Sequence, residues 1–191
     1  MLLEELVVKT RSYRTFDPTR PITREDMLSL VDLARRAASA INRQPLRYRV
    51  VSDAAECALM LANTRYAGAL SIKLPPEGMA PTGYIAIFAD SEVAKNDTWA
   101  LKDLGIAAQT VMLAATERGF GGCMVGSFNA ERLNADLGVP TRYTPLLVLA
   151  LGTPAEDCRL VEAEGPAKLT YYRDENNVHY VPKLKLEDVL L

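Results

Sequence analysis

Leu101-Lys102-Asp103-Leu104-Gly105-Ile106-Ala107-Ala108-Gln109-Thr110-Val111-Met112-Leu113-Ala114-Ala115 winds into a helix that is apolar on nearly every side. The helix is expected to open at Asn96 or Asp97, reach Arg118 and stop at Gly119. Leu101, Leu104, Ile106, Val111, Met112 and Leu113, together with Ala107, Ala108, Ala114 and Ala115, leave little polar surface. Such a helix has to be covered on most sides. The length of 191 residues predicts one small domain, 1–191, with two smaller ones as the alternative, and in one so small part of that cover comes more easily from a second copy. The alanines permit close helix approach. The sequence therefore predicts a homodimer with this helix at its centre.

Other elements follow on either side. Thr23, with Asp26 three positions on, caps a predicted helix Arg24–Ala38 whose Met27, Leu30, Val31, Ala34 and Ala38 share a face. A polar break, Ser39–Pro45, precedes a strand-like run, Tyr48–Val51. Asp53 and Glu56 read as a capping box for a helix ending at Asn63. The stretch Thr64–Thr82 holds Gly68, Pro75, Pro76, Gly78 and Pro81, which predicts a long loop of the kind used as a lid or binding segment. Strands are expected at Tyr84–Phe88 and Gly122–Val125, and a short helix at Ala130–Leu137, capped by Asn129. Leu146–Leu151 is continuously apolar and should be a central strand covered on both faces. The tail offers a turn at Asp174–Asn177 and a β-like His179–Val181. Helices outnumber strands and sandwich a small sheet, giving an α+β or mixed α/β class.

Composition removes several function classes. A net charge of −2 provides no basic field for nucleic acid or an acidic membrane. No run approaches the ~20 apolar residues of a membrane span. Met1-Leu2-Leu3-Glu4-Glu5 lacks the basic start of a secretory signal, and a cytoplasmic location is expected. Cys57, Cys123 and Cys158 are too widely spaced for a zinc site and read as reduced thiols packed as small hydrophobes. The single histidine, His179, lies in a charged, turn-rich tail, which argues against a Cys–His pair, a hydrolase triad or a metal site. No side chain is assigned a catalytic role. The chemistry is expected to belong to a bound cofactor.

Three segments could hold one. Arg11-Ser12-Tyr13-Arg14 places two guanidinium forks and a hydroxyl in one short turn, which suits phosphate oxygens. Gly119-Phe120-Gly121-Gly122-Cys123-Met124-Val125-Gly126-Ser127-Phe128 fails the dinucleotide fingerprint at Met124 and the P-loop lysine position at Ser127. What remains is a helix end, a short strand and an exposed turn at Gly126-Ser127, where main-chain N–H groups could approach a flat ligand. Ser39, Asn42 and Gln44 offer donors and acceptors suited to hydroxyls or heterocycle edges, although turn composition alone also explains them.

Taken in order, five segments resemble the nitroreductase family of FMN-dependent oxidoreductases. They are Arg11–Phe16, Ala38–Pro45, Asp103–Gln109, Gly119–Phe128 and Ala150–Pro154. The resemblance implies an α/β/α sandwich with a central, mostly antiparallel sheet, built as an intertwined homodimer in which a tail strand from the partner extends the sheet. It also implies that Arg11 and Ser12 contact the phosphate and ribityl chain of FMN. Arg14 would reach the ribityl chain or the pyrimidine edge, where a cation favours the anionic reduced flavin. Ser39, Asn42 and Gln44 resemble an element that lines the flavin pocket across the dimer interface. The Gly126 N–H would face flavin N5, flanked by Val125 and Ser127. Lys183 is the best match to the tail's basic phosphate ligand, with Arg173 second. Ala38 replaces a usual proline and Leu46 a frequent tryptophan, both on the substrate side.

The activity so implied is a ping-pong oxidoreductase that passes hydride from NAD(P)H, as co-substrate, to a small-molecule acceptor: a nitroaromatic, a quinone or an activated alkene. Other flavin chemistry on the same fold, such as dehalogenation, flavin fragmentation or azoline oxidation, is an alternative. So is a flavin-binding sensor dimer without turnover. A plain interaction protein would leave Arg11, Arg14, Asn42 and Gly126 as coincidence.

Overall fold

Thr23 accepts a hydrogen bond from the Asp26 N–H, and the Asp26 carboxylate accepts one from the Thr23 N–H, so the predicted capping box is closed at both ends. The computed structural model describes residues 1–68, 70, 72–94, 98–165 and 167–191. In chain order it contains α1 (Leu3–Lys9), α2 (Arg24–Ala34), a 3₁₀ turn at Ala40–Asn42, β1 (Leu46–Val51), α3 (Ala54–Asn63), β2 (Gly83–Asp90) and α4 (Thr98–Glu117). It continues with β3 (Gly121–Val125), α5 (Ala130–Asp136), β4 (Tyr143–Gly152), β5 (Cys158–Glu162), β6 (Tyr172–Arg173), β7 (His179–Lys183) and a last 3₁₀ turn at Leu186–Asp188.

Four strands form one antiparallel sheet in the order β1-β2-β4-β3. Side chains alternate across it with the period of a strand. Ile85, Ile87, Leu149 and Leu151 pack against Met27 and Leu30 of α2 and against Ala107, Ala108, Val111 and Ala115 of α4. Tyr84, Ala86, Phe88, Val148 and Ala150 face Met60 of α3 and Leu133 of α5. Both faces are thus covered by helices, and β2 is buried along its whole length. This is the expected α+β sandwich. β4 is interior, as its unbroken apolar run required.

Several expectations need correction. The helix expected through Ala38 ends at Ala34, and the apolar residues beyond it belong to a turn leading into the 3₁₀ segment. Asp53 caps α3 through the Ala55 and Glu56 N–H groups, but Glu56 binds Arg49 instead of closing a box. The residues expected to open α4, Asn96 and Asp97, lie outside the described residues. α4 is also less enclosed than its composition suggests, since Leu101 and Ile106 are 59% and 44% exposed within one chain. α1, β5 and β6 have no counterpart in the sequence reading. α1 buries no residue and β5 is only partly buried, so neither carries a strong periodic signal.

The tail forms a second, three-stranded sheet in the order β5-β7-β6, with β7 parallel to β5 of the same chain. The third strand of that sheet, β6, is antiparallel to β7.

Candidate functional site

The turn after α1 is pinned on both sides. The Tyr13 N–H donates to the Gly122 carbonyl at 2.9 Å, laying the turn along the edge strand β3. The close approach needs glycine in β3: a Cβ at Gly121 would meet Pro154 and Tyr13 at 2.6 Å, and one at Gly122 would meet the Ala150 carbonyl at 2.4 Å. Behind the turn, the Glu156 carboxylate accepts from the N–H groups of Arg14 and Thr15 and pairs with Arg173.

In front of it lies a cleft of about 360 Å³ lined by Arg11, Ser12, Arg14, Lys183, Tyr171 and His179, with Thr10, Gln109, Met112, Met124 and Val181 completing the wall. The size suits a small-molecule site. Four predicted residues, Arg11, Ser12, Arg14 and Lys183, thus meet at one place although the last is far away in sequence. Their bonding is incomplete. Arg11 donates to the Val7 carbonyl at 2.5 Å and Arg14 to the Ser12 carbonyl at 3.2 Å, yet Nε of each is buried without a partner. Burial holds the Arg11 guanidinium below its ordinary pKa, so the cation is costly where it sits. Arg14 is buried and its guanidinium lies 5.1 Å from the centre of the Tyr171 ring, a cation–π contact.

Arg173 does not line the cleft. Its side chain is 6% exposed and its charge is matched by Glu156, at 2%. Val125 is buried at the end of β3, while Gly126 and Ser127 are exposed just beyond it. Gly126 has no positive φ, and a Cβ added there would meet nothing within 4 Å. No internal packing explains this glycine. Space in front of its backbone is what a flat ligand would use.

Ser39, Asn42 and Gln44 are not brought to the arginine cleft. Ser39 and Gln44 line a separate, mostly apolar cavity of about 330 Å³ between α2, β1 and α4. There the Ser39 hydroxyl donates to buried Asp103 at 2.6 Å and accepts the Gln44 N–H at 2.9 Å. Ile41, Asn42 and Gln44 all have positive φ (47°, 55° and 52°), which is strained for a β-branched residue such as Ile41, itself 84% exposed.

His179 belongs to a charged, turn-rich tail, yet its side chain is enclosed. It is 1% exposed, stacked on Tyr171 with ring centres 5.3 Å apart, and its Nδ1 has no partner. Burial, aided by Arg14 and Arg173, pushes its pKa down to about 4. The available signal is the β-like run itself: alternation puts His179, Val181 and Lys183 on one face, and all three line the cleft. The thiols are free, and burial raises all three, Cys57 to about 11 and Cys158 to about 12, so none is an activated nucleophile. Among the described residues, no group of His, Cys, Asp and Glu is placed to hold a metal, and no helix is long and apolar enough to cross a membrane.

A statistical description of the nitroreductase family matches residues 7–153, a span that includes the arginine turn, the Ser39–Gln44 cluster and the whole central sheet. The chain belongs to the nitroreductase family. A Bacillus subtilis (strain 168) protein provisionally named an NAD(P)H nitroreductase, YodC, is 25% identical over 177 residues, covering 76% of this chain and 87% of its own. The crystal structure of a nitroreductase family protein from Clostridium novyi NT superposes with a TM-score of 0.66 at 26% identity, over 81% of this chain and 87% of the other. A provisionally named nitroreductase from Exiguobacterium sibiricum 255-15, solved in complex with FMN, shares the fold with a TM-score of 0.68 at 18% identity, over 82% and 90% of the two chains. As a nitroreductase-family member the chain has a further property: its cleft draws Tyr171, His179, Val181 and Lys183 from beyond the matched span.

Proposed function

We propose that this nitroreductase-family chain is an FMN-dependent oxidoreductase that uses NAD(P)H to reduce an electron-poor acceptor such as a nitroaromatic, a quinone or an activated alkene. One observation carries the reading. Arg11, Ser12, Arg14 and Lys183 converge on one cleft whose buried arginine Nε groups lack acceptors. Buried donors are normally satisfied, and a phosphate supplies the missing oxygens.

Bound there, FMN would supply two-electron transfer between a reduced nicotinamide and the acceptor. The chain's own residues bind and orient. Arg11, Ser12 and Lys183 would hold the phosphate end, while Arg14, fixed by Glu156 behind and Tyr171 above, would present a cation further in. The open backbone at Gly126 admits a planar group without a clash. No chain residue is assigned a proton-transfer role, and solvent can serve.

The reading includes a homodimer. A second copy would cover the exposed Leu101 and Ile106 of α4 and the strained, exposed Ile41 turn, bringing Asn42 toward the partner's cleft. Purified protein is expected to be yellow, with flavin absorption bands, to elute as a dimer, and to oxidise NADH or NADPH in the presence of a nitroaromatic or quinone. Colourless protein that fails to quench added FMN fluorescence overturns the proposal.

A further inference from the structure

His179 occupies a position that the flavin reading leaves unexplained. It comes from the tail strand β7, outside the span shared with the family. Its ring is enclosed and lies against Tyr171, and its backbone N–H is fixed to the Asp157 carbonyl at 2.8 Å. Yet Nδ1 is buried without a partner. A buried, unpartnered ring nitrogen costs free energy unless something else meets it.

The groups around it are mostly cationic. Arg14 faces it from the turn after α1 and Arg173 from β6, while Arg11 and Lys183 line the same cleft. Tyr171 stacks on it, and Cys158 stands opposite it in the β5–β7 register as a neutral thiol. Nearby carboxylates are already engaged: Glu156 by Arg173 and two N–H groups, Asp157 by Arg159, and Asp174 by Tyr180 and its own turn. An imidazole walled by cations stays neutral until an anion arrives.

We propose that His179 is a phosphate-facing residue of the cleft and takes up a proton when a phosphate monoester binds. The inference rests on the flavin reading for the identity of that monoester, FMN, but not for its chemistry. A dianion entering the cleft beside Arg11 replaces a repulsive surrounding with an attractive one, which favours the charged imidazole. The low pKa of the free site, about 4, is the starting point of that change. Proton uptake by the protein opposes the behaviour of the phosphate alone, whose second ionisation near pH ~6 would make binding release protons.

The chain has a single histidine, so the imidazole proton resonances of tag-free protein report His179 without assignment. The experiment is a nuclear magnetic resonance pH titration of the whole protein, free and saturated with FMN, riboflavin or inorganic phosphate. The midpoint is expected to rise by about one unit or more with FMN and with inorganic phosphate, and to stay put with riboflavin. Calorimetry at pH ~5 in buffers of different ionisation enthalpy should show greater proton uptake on FMN binding for the wild type than for His179→Gln. An unmoved midpoint while flavin fluorescence is quenched overturns the inference alone. Equal shifts with riboflavin and FMN overturn the phosphate assignment. If FMN does not bind at all, the flavin reading fails, and the inorganic phosphate arm then decides the inference by itself.

Discussion

Glu156 and Arg173 form an ion pair with side-chain exposures of only 2% and 6%, and the same carboxylate accepts the N–H groups of Arg14 and Thr15. One carboxylate therefore ties the tail to the back of the arginine turn. Both partners lie beyond the span that matches the family, so this brace belongs to the chain's tail. It orders Arg14 from behind while leaving its guanidinium free to face the cleft.

Removing one half of this pair leaves an uncompensated buried charge. Glu156→Gln is expected to cost about 3–5 kcal/mol of unfolding free energy, measured by urea denaturation. The double variant Glu156→Gln with Arg173→Met should recover part of that stability, because no lone charge then remains. A Glu156→Gln protein as stable as wild type would show that the brace carries no energy.

Arg11→Ala combined with Arg14→Ala removes the two forks that face the cleft. FMN affinity is expected to fall by about 1.5–3 kcal/mol for each charge-assisted hydrogen bond removed, read by quenching of flavin fluorescence. Riboflavin, which has no phosphate, should be weakened much less than FMN by Arg11→Ala alone. Equal weakening of both ligands by Arg11→Ala would place that arginine on the ring rather than the phosphate.

The glycines of the β3 region divide into two kinds. Gly122→Ala should destabilise by about 1–3 kcal/mol, since its Cβ would sit 2.4 Å from the Ala150 carbonyl oxygen. Gly126→Ala should leave thermal unfolding unchanged, because a Cβ there meets nothing within 4 Å. Gly126→Val should keep the fold but weaken flavin binding. Reduced stability at Gly126 would mean that packing, not a ligand, demands this glycine.

Asp90, buried at the end of β2, accepts from Arg142 at 2.8 and 2.7 Å and from Arg47 at 3.1 Å. These bonds, Arg142's foremost, hold its carboxyl down at about 2. In the unfolded chain the value returns to about 3.9, so the unfolded state binds the proton first as pH falls. Asp90 thus stabilises the fold fully above pH ~4, and that stabilisation fades between there and pH ~2. Acid unfolding followed by circular dichroism should be less steep across this window for Asp90→Asn. An unchanged acid limb would mean that Asp90 does not contribute to acid stability.

Much of the fold is legible in the sequence because burial leaves periodic marks. Leu146–Leu151 is apolar at every position since helices cover both faces of β4, and Thr23 with Asp26 marks the start of α2 through bonds local in sequence. The end of α2 is overrun because Ala37 and Ala38 continue the apolar pattern without continuing the helix. α1 is invisible for the opposite reason: Leu3, Val7 and Val8 are exposed in the single chain, so no face of it looks like a core.

The site is legible only in part. Arg11, Ser12 and Arg14 are neighbours along the chain, so their pattern can be read directly. Lys183 and Arg173 are equivalent as cations, and only the fold separates them, turning one toward the cleft and burying the other against Glu156. His179 looks like a surface residue because its sequence neighbours are polar, whereas its enclosure comes from Tyr171 and Arg14 packed over it.

The sequence by itself determined the layers, the central strands and the anion-binding turn, because alternation, capping and clustered charge are properties of residues close along the chain. Which cations share a cleft, which carboxylate braces them and where the lone imidazole sits were decided by tertiary structure. Those relations join residues more than a hundred positions apart, as the Arg14–Glu156 bond does. No local pattern can encode a contact that exists only once the tail has folded back.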